Sequence, residues 1–253
     1  MKIALFQTDI RWNDLRWNTE HAARMMEDGR DGMEEGADVY VLPEMFTTGF
    51  ATQPEGIADG KAEGLEWMRQ TARQLNAAIV GSIATDLGGG KYCNRMYFVK
   101  PDGAEVHYDK RHLFSYAGED ERYTAGTERV TVEWRGVRFL LQVCYDLRFP
   151  VWSRNHEDYD CALYVANWPE SRIEAWRTLL KARAIENQCY VCGVNRVGTD
   201  AACKYSGGTA VIDPYGRAVA EAESGKEGWT VAELNMEKLR QFREKFPVLK
   251  DRD

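Results

Sequence analysis

The chain has 253 residues, of which 44% are hydrophobic and 29% are charged, a balance typical of a globular protein with a sizeable core. Its 33 basic and 40 acidic side chains give a net charge of −7, without the basic clusters that nucleic-acid binding requires. No apolar run is long enough to span a membrane, and the amino terminus is typical of a first strand rather than a secretory leader. We therefore expect one cytoplasmic domain, residues 1–253, that binds neither nucleic acid nor membrane.

Strands and helices are predicted to alternate along the chain, from the period of its hydrophobic residues. The predicted strands cover residues 2–7, 38–43, 77–84, 95–100, 137–146, 161–167, 189–195, 207–214 and 229–234. The predicted helices cover residues 17–35, 62–76 and 171–188, with Gly36 placed to end the first. This alternation indicates the α/β class.

Two hairpins are predicted from turn residues. Residues 95–108 fold back across Pro101-Asp102-Gly103, and residues 207–222 fold back across Pro214-Tyr215-Gly216. Antiparallel hairpins beside helix-connected strands indicate mixed sheets. Such sheets are compatible with a helix, sheet, sheet, helix layering, which periodicity alone leaves open.

The six cysteines favour reduced thiols over a disulfide framework, because the chain is long and shows no secretory leader. Cys189 and Cys192 form a CxxC pair, but they fall in a predicted strand, where residues three apart point to opposite faces. A second CxxC or a nearby His pair is missing from the sequence. We therefore expect neither a metal site nor a redox role for this pair.

Three chemically competent side chains stand where apolar strands stop, namely Glu44, Lys110 and Cys144. Each has a structural alternative: a turn cap for Glu44, a solvated hairpin residue for Lys110, and a buried small side chain for Cys144. Together they suffice for acyl transfer. A carboxylate can take the thiol proton, and an ammonium can stabilise the oxyanion that forms when a thiolate attacks a carbonyl.

The motifs around these residues resemble the carbon-nitrogen hydrolase family, the nitrilase superfamily, whose members use a Glu, Lys, Cys triad. The matching runs are LPEMFTTGF at Glu44, YDKRHLF at Lys110 and CYDLRFP at Cys144, in the family's order. The resemblance extends from KIALFQTDIRW near the amino terminus to the late hairpin GGTAVIDPYG. It implies a four-layer αββα sandwich with mixed sheets, a homodimer, and no cofactor or metal.

The resemblance also implies roles for individual residues. Glu44 is the general base, Lys110 stabilises the tetrahedral intermediate, and Cys144 forms the acyl-enzyme. Glu119 matches a second glutamate that many members place beside the triad, although Glu121 lies two residues away and stays an alternative. The backbone amide of Tyr145, the residue after the cysteine, is expected in the oxyanion hole.

Within the family, the runs HLFSYAGEDERY and ANWPESRIEAWRTLLKARAIENQ look most like the ω-amidase branch. That resemblance implies an amidohydrolase that converts the terminal amide of 2-oxoglutaramate or 2-oxosuccinamate to a 2-oxo dicarboxylate and ammonia. Three alternatives stay open. One is an amidase for N-carbamoyl compounds or deaminated glutathione, and another is a non-catalytic binding or scaffold protein on the same fold. The third is a redox protein that uses Cys189 and Cys192.

A small amide substrate with a carboxylate needs a cation, and Arg148 and Arg172 are candidates because guanidinium binds carboxylate bidentately. The structural alternatives are that Arg148 pairs with Asp146 and that Arg172 faces solvent at a helix start. Three aromatic residues are candidates for the pocket wall, although aromatic side chains also pack in cores. These residues are Phe46, Tyr116 and Trp168.

Overall fold

Two six-stranded sheets form the centre of the protein, which a computed structural model describes over residues 1–32 and 36–252. The strands are β1 (Lys2–Gln7), β2 (Val39–Val41), β3 (Ala78–Gly88), β4 (Lys91–Val99), β5 (Glu105–Asp109), β6 (Thr131–Trp134), β7 (Val137–Val143), β8 (Cys161–Ala166), β9 (Tyr190–Asn195), β10 (Val197–Thr199), β11 (Lys204–Ser206), β12 (Ala210–Ile212), β13 (Ala218–Glu221) and β14 (Gly228–Glu233). The helices are α1 (Leu15–Asp31), α2 (Glu63–Leu75), α3 (Pro150–Ser153), α4 (Ile173–Glu186) and α5 (Met236–Lys245).

Both sheets are mixed, as predicted. The first has the order β14-β1-β2-β3-β4-β5, with β1, β2 and β3 parallel and the other neighbours antiparallel. The second has the order β13-β12-β9-β8-β7-β6, with β7, β8 and β9 parallel. The two predicted hairpins are confirmed as β4–β5 and β12–β13, and Gly103 and Gly216 in their turns have positive φ values of 87° and 80°.

The sheets pack face to face and are covered by helices on their outer faces. Alternate residues of each strand point to opposite sides, so Leu5 faces the second sheet while Phe6 faces the helices. Between the sheets, the rings of Phe98 and Phe139 lie 5.5 Å apart. Helices α1 and α2 cover the first sheet, and α4 covers the second through Trp176. The four-layer αββα sandwich is confirmed.

Two predicted boundaries need correction, and helices were missed. The strand predicted over 137–146 ends at Val143, because the Asp146 carboxylate accepts the Val143 amide and turns the chain into a 3-10 helix. The first helix ends at Asp31, where Gly32 donates to the Asp28 carbonyl, so Gly36 does not end it. The predicted helical residues 33–35 lie outside the described residues. Helix α5, which we did not predict, starts after Asn235, whose side chain accepts the Lys238 amide.

Within the described ranges, no helix has both the length and the apolar character needed to cross a membrane.

Candidate active site

The candidate residues converge because their strands run in the same direction. Glu44 follows β2, and Lys110 follows β5. Strand β5 runs parallel to β2, because β3 is parallel to β2 and β4 is antiparallel to both β3 and β5. Cys144 and Asn167 follow the neighbouring parallel strands β7 and β8 of the other sheet. The carboxyl ends of all four strands therefore meet at one edge of the sandwich, where ligand sites of such sheets are commonly found.

Lys110 lies between two carboxylates. Its Nζ donates to Glu44 Oε1 at 2.9 Å and to Glu119 Oε2 at 2.8 Å. The side chains of all three residues have no exposed surface. Their burial means that the two negative charges and the one positive charge interact with little screening by solvent.

Two asparagines complete the contacts of Glu44. Asn94 Nδ2 donates to Glu44 Oε1 at 2.8 Å and to Glu119 Oε1 at 3.1 Å, so it joins the two carboxylates. The backbone amide of Asn167 donates to Glu44 Oε2 at 2.8 Å, and its Nδ2 donates to the Glu44 carbonyl oxygen at 2.7 Å. Both oxygens of the Glu44 side chain are thus held in fixed directions.

Charge and burial shift the pKa values of three groups in this cluster. Burial opposes the charge of Lys110, but the carboxylates of Glu119 and Glu44 raise its pKa well above the ordinary value, so the ammonium persists. Burial, and then Glu44, raise the pKa of the Glu119 carboxyl, against the opposing effect of Lys110. Burial and the Glu44 carboxylate raise the pKa of the Cys144 thiol well above its ordinary value, against Lys110. The resting thiol is therefore protonated and needs a base to become a nucleophile.

Cys144 stands at the sharp turn between β7 and the 3-10 helix Cys144–Arg148. Its φ is 44°, in the left-handed region that non-glycine residues rarely adopt and that is often found at functional sites. The turn is held by Asp146, whose carboxylate accepts the Tyr108 hydroxyl at 2.8 Å and the His112 amide at 3.0 Å. Asp146 thereby ties the turn after Cys144 to the chain segment of Lys110, and these contacts replace the predicted alternative of an Arg148–Asp146 pair.

Glu119, rather than Glu121, is the glutamate that contacts Lys110. Glu119 is fully buried, and its Oε2 also accepts the Phe114 amide at 2.6 Å. Glu121 is exposed on the other side of the same short 3-10 helix. The alternative left open by the sequence is resolved by this difference in burial.

A cavity of about 830 Å³ opens onto Cys144. Four of the five predicted substrate contacts line it together with Tyr145, namely the aromatic residues Tyr116 and Trp168 and the cations Arg148 and Arg172. The prediction for Phe46 is wrong, because this ring is 2% exposed and packs against Trp67 on the outer face of the first sheet.

Three guanidinium groups reach the cavity wall, and they differ in their partners. Arg196 is neutralised by Asp9 at 2.7 Å. Arg148 lies over the Trp168 ring, 5.0 Å from its centroid, and Arg172 lies 5.4 Å from the centroid of the Phe114 ring. Neither Arg148 nor Arg172 has a carboxylate partner among the residues that the structure describes. The cavity therefore combines a thiol with two cations available to an anionic ligand.

The sequence analysis missed Asn94 and Asn167. Asn167 had a usable signal, because it ends the apolar strand CALYVAN in the same way that Cys144 ends LLQVC. Asn94 had none, since it lies inside β4, and its proximity to Glu44 arises from the pairing of β3 with β4.

The remaining cysteines lie apart from this site or at its outer rim. Cys189 packs under α4, whereas Cys192 lies between the sheets, so the two thiols of the CxxC pair point to opposite faces as predicted. Cys203 is on the outer wall of the cavity. Across residues 1–32 and 36–252, no group of three His, Cys, Asp or Glu side chains is arranged to hold a metal ion.

The chain belongs to the carbon-nitrogen hydrolase family, whose sequence profile matches residues 2–244. Among solved structures, a CN-hydrolase superfamily protein from Xanthomonas campestris, which carries an arsenic adduct in its active site, is 41% identical with a TM-score of 0.94. The similarity covers 100% of this chain and 97% of that one.

Two curated relatives that match almost the whole chain are amidases. The ω-amidase YafV of Escherichia coli strain K12 is 50% identical, over 100% of this chain and 97% of its own length. The 2-oxoglutaramate amidase of Bacillus subtilis strain 168 is 35% identical, over 98% of this chain and 96% of its own length.

Proposed function

We propose that this protein is an ω-amidase, which hydrolyses the terminal amide of 2-oxoglutaramate or 2-oxosuccinamate to the 2-oxo dicarboxylate and ammonia. The observation that carries this proposal is the cavity itself, in which Cys144 and the buried Glu44–Lys110–Glu119 cluster adjoin two guanidiniums without carboxylate partners. The full-length similarity to ω-amidases supports the same reaction.

Acylation begins with the protonated thiol of Cys144. Glu44 accepts the thiol proton as the sulfur attacks the amide carbonyl, and a carbon-sulfur bond forms while the carbonyl electron pair moves to the oxygen. The Lys110 ammonium and the backbone amide of Tyr145 stabilise this oxyanion. The amide of Tyr145 suits this role because it lies at the start of a 3-10 helix, where amides have no carbonyl partner within the helix.

Collapse of the intermediate breaks the carbon-nitrogen bond. Glu44 returns its proton to the leaving nitrogen, so ammonia departs and a thioester remains on Cys144. Water then attacks the thioester with Glu44 again as base, which releases the carboxylic acid and restores the thiol. Glu119 holds Lys110 in place through two hydrogen bonds, at 2.8 and 3.2 Å. Its carboxylate also helps to keep that ammonium charged.

Arg148 and Arg172 account for the preference for a substrate with a carboxylate. Each lies over an aromatic ring that limits its motion, and neither is neutralised by a carboxylate among the described residues. A planar guanidinium binds carboxylate through two parallel hydrogen bonds, so these residues suit the 2-oxo acid end of the substrate. Tyr116 and Trp168 enclose the carbon chain of the substrate between its amide and its 2-oxo acid end.

The test is ammonia release from 2-oxoglutaramate compared with a neutral amide of the same length that lacks the carboxylate. We expect Arg148→Met and Arg172→Met each to lower kcat/KM for 2-oxoglutaramate by about 10- to 100-fold, mainly through KM, because an ionic hydrogen bond is lost. The neutral amide should be affected little. Arg177→Met on the exposed face of α4 is the control, since Arg177 pairs with Glu174 away from the cavity.

The same assay separates the competing functions. Hydrolysis of N-carbamoyl compounds or deaminated glutathione, with 2-oxoglutaramate left intact, would replace the ω-amidase by another amidase of the family. A protein that hydrolyses none of these compounds would be a binding or scaffold protein.

We also propose a homodimer in the cytoplasm. An exposed apolar patch supports the dimer, since Ile185, Tyr215 and Phe246 are 54%, 55% and 59% exposed near the β12–β13 turn and α5. A reducing compartment suits the six free cysteines, because the Cys161 and Cys192 sulfurs lie 3.6 Å apart without a disulfide. Sedimentation analysis of the purified protein would measure its mass in solution.

A further inference from the structure

The side-chain oxygen of Asn167 is buried without a hydrogen-bond partner in the described protein. Thr47, Gln142, Tyr164 and Gln188 also carry buried side-chain oxygens of this kind, but none of these four residues lines the cavity. Asn167 does line it, beside Cys144 and Trp168, and is only 5% exposed. A buried polar atom without a partner costs free energy, so an unpaired acceptor in a cavity wall indicates a ligand that donates.

The direction of the Asn167 amide group is set by Glu44. Its Nδ2 lies 2.7 Å from the Glu44 carbonyl oxygen and 3.4 Å from Glu44 Oε2, and both of those atoms accept hydrogen bonds. Rotating the amide by 180° would place its oxygen against these two acceptors, which is unfavourable. The nitrogen therefore faces Glu44, and Oδ1 is left for another donor.

We propose that Asn167 Oδ1 accepts a hydrogen bond from the NH₂ group of the substrate amide and so selects an amide at the scissile bond. This inference rests on the proposed function. Glu44 must protonate the leaving nitrogen, so that nitrogen comes close to Glu44 Oε2, which Asn167 already contacts. A hydrogen bond from one N–H to Oδ1 orients the nitrogen so that its lone pair meets the proton held by Glu44.

The selection follows from donor chemistry. A primary amide supplies N–H donors to Oδ1, whereas an ester has none at its leaving oxygen, and the product carboxylate has only acceptors. A binding site with a buried polar group discriminates strongly against a ligand that leaves the group unpaired. Oδ1 therefore favours amide over ester and also weakens the hold on the product.

The experiment compares kcat/KM for 2-oxoglutaramate with kcat/KM for the ω-methyl ester of 2-oxoglutarate, in which a methoxy group replaces the NH₂ group at the scissile bond, since this parameter reports the steps through acylation. We expect Asn167→Ala to lower the amide-to-ester ratio by about tenfold, the size of one lost hydrogen bond. Asn94→Ala is the control. It also removes a donor to Glu44 but does not line the cavity, so it should slow both substrates by the same factor and leave the ratio unchanged.

Two further variants separate recognition of the amide from placement of Glu44. Asn167→Asp keeps an acceptor but loses the donor to Glu44, so both rates should fall while the ratio stays near that of the unmodified protein. Asn167→Leu has nearly the size of asparagine and no acceptor, and it should lower the ratio even if the alanine variant fails to fold.

An unchanged ratio in the folded Ala or Leu variant, with both rates lowered, would overturn the inference and leave the proposed function intact. An unmodified protein that hydrolyses neither compound would overturn both.

Discussion

Two charged clusters in this protein have similar components but different surroundings. In the active-site cluster, the Lys110 ammonium lies between Glu44 and Glu119, and the three side chains have no exposed surface. In the rim cluster, the Asp160 carboxylate lies between Arg138 and Arg243, and the side chains are 12%, 39% and 18% exposed. The first cluster has an excess of negative charge and the second an excess of positive charge.

The difference in burial and charge indicates that the active-site cluster serves catalysis and that the rim cluster serves stability. Burying charges costs several kcal/mol per ion unless their partners are well placed, so a buried cluster with two carboxylates is poor material for stabilising a fold. Its position beside a thiol with a raised pKa gives it a chemical use instead. The rim cluster joins β7, the start of β8 and α5, with solvent still near its arginines. It contributes to the cohesion of the fold.

Two substitutions test this comparison, and the one with the larger expected effect is at Glu119. We expect Glu119→Gln to lower kcat/KM by about 10²-fold, because Lys110 loses the carboxylate that holds it in position. Glu121→Gln is the matched control, since Glu121 is exposed two residues away and should leave the rate unchanged. Equal effects of the two substitutions on ammonia release would contradict the role of Glu119 in positioning Lys110.

The smaller effect concerns the rim cluster and pH. Burial opposes ionisation of Asp160, but its bonds to Arg138 and the charge of Arg243 lower its pKa below the ordinary value of 3.8. This carboxylate therefore stabilises the folded state above pH 3.8, and the contribution is lost as pH falls through the lower pKa of the folded protein. At neutral pH, Asp160→Asn should lower the free energy of unfolding by about 1–2 kcal/mol, limited by screening at the exposed arginines.

Urea denaturation at neutral and acidic pH measures this difference. The difference in the free energy of unfolding between the unmodified protein and Asp160→Asn should shrink towards zero below pH 3.8. At neutral pH, kcat/KM of the variant should equal that of the unmodified protein. A large loss of activity in the folded variant would contradict the separation of the two clusters.

The sequence predicted those strands and turns well that are determined by their own residues. The apolar run in KIALFQ marks β1 correctly, and Pro101-Asp102-Gly103 marks the turn of the β4–β5 hairpin. Glu44, Lys110 and Cys144 were recognisable because each stands at the end of a predicted strand or hairpin, within a motif that resembles the family. These three side chains meet because their strands run in the same direction. The order of the motifs along the chain is consistent with that arrangement but does not specify it.

Contacts between distant segments could not be predicted from local patterns. Asn94 reaches Glu44 across 50 residues of sequence, and Asn167 reaches it across 123. Phe46 has the same local context as a pocket residue, but its side chain falls on the outer face of the sheet, where α2 covers it. The end of β7 at Val143 depends on a hydrogen bond from its own amide to Asp146, which hydrophobic periodicity does not register.

The central claim is that Cys144 forms a thioester with the acyl part of the substrate. Rapid acid quenching of the protein with 2-oxoglutaramate, followed by mass spectrometry of its peptides, tests this directly. We predict an added 2-oxoglutaryl group on the peptide that contains Cys144, and its absence in a folded Cys144→Ala variant that releases no ammonia. Ammonia release by that variant, or an acyl group on another cysteine, would contradict the account.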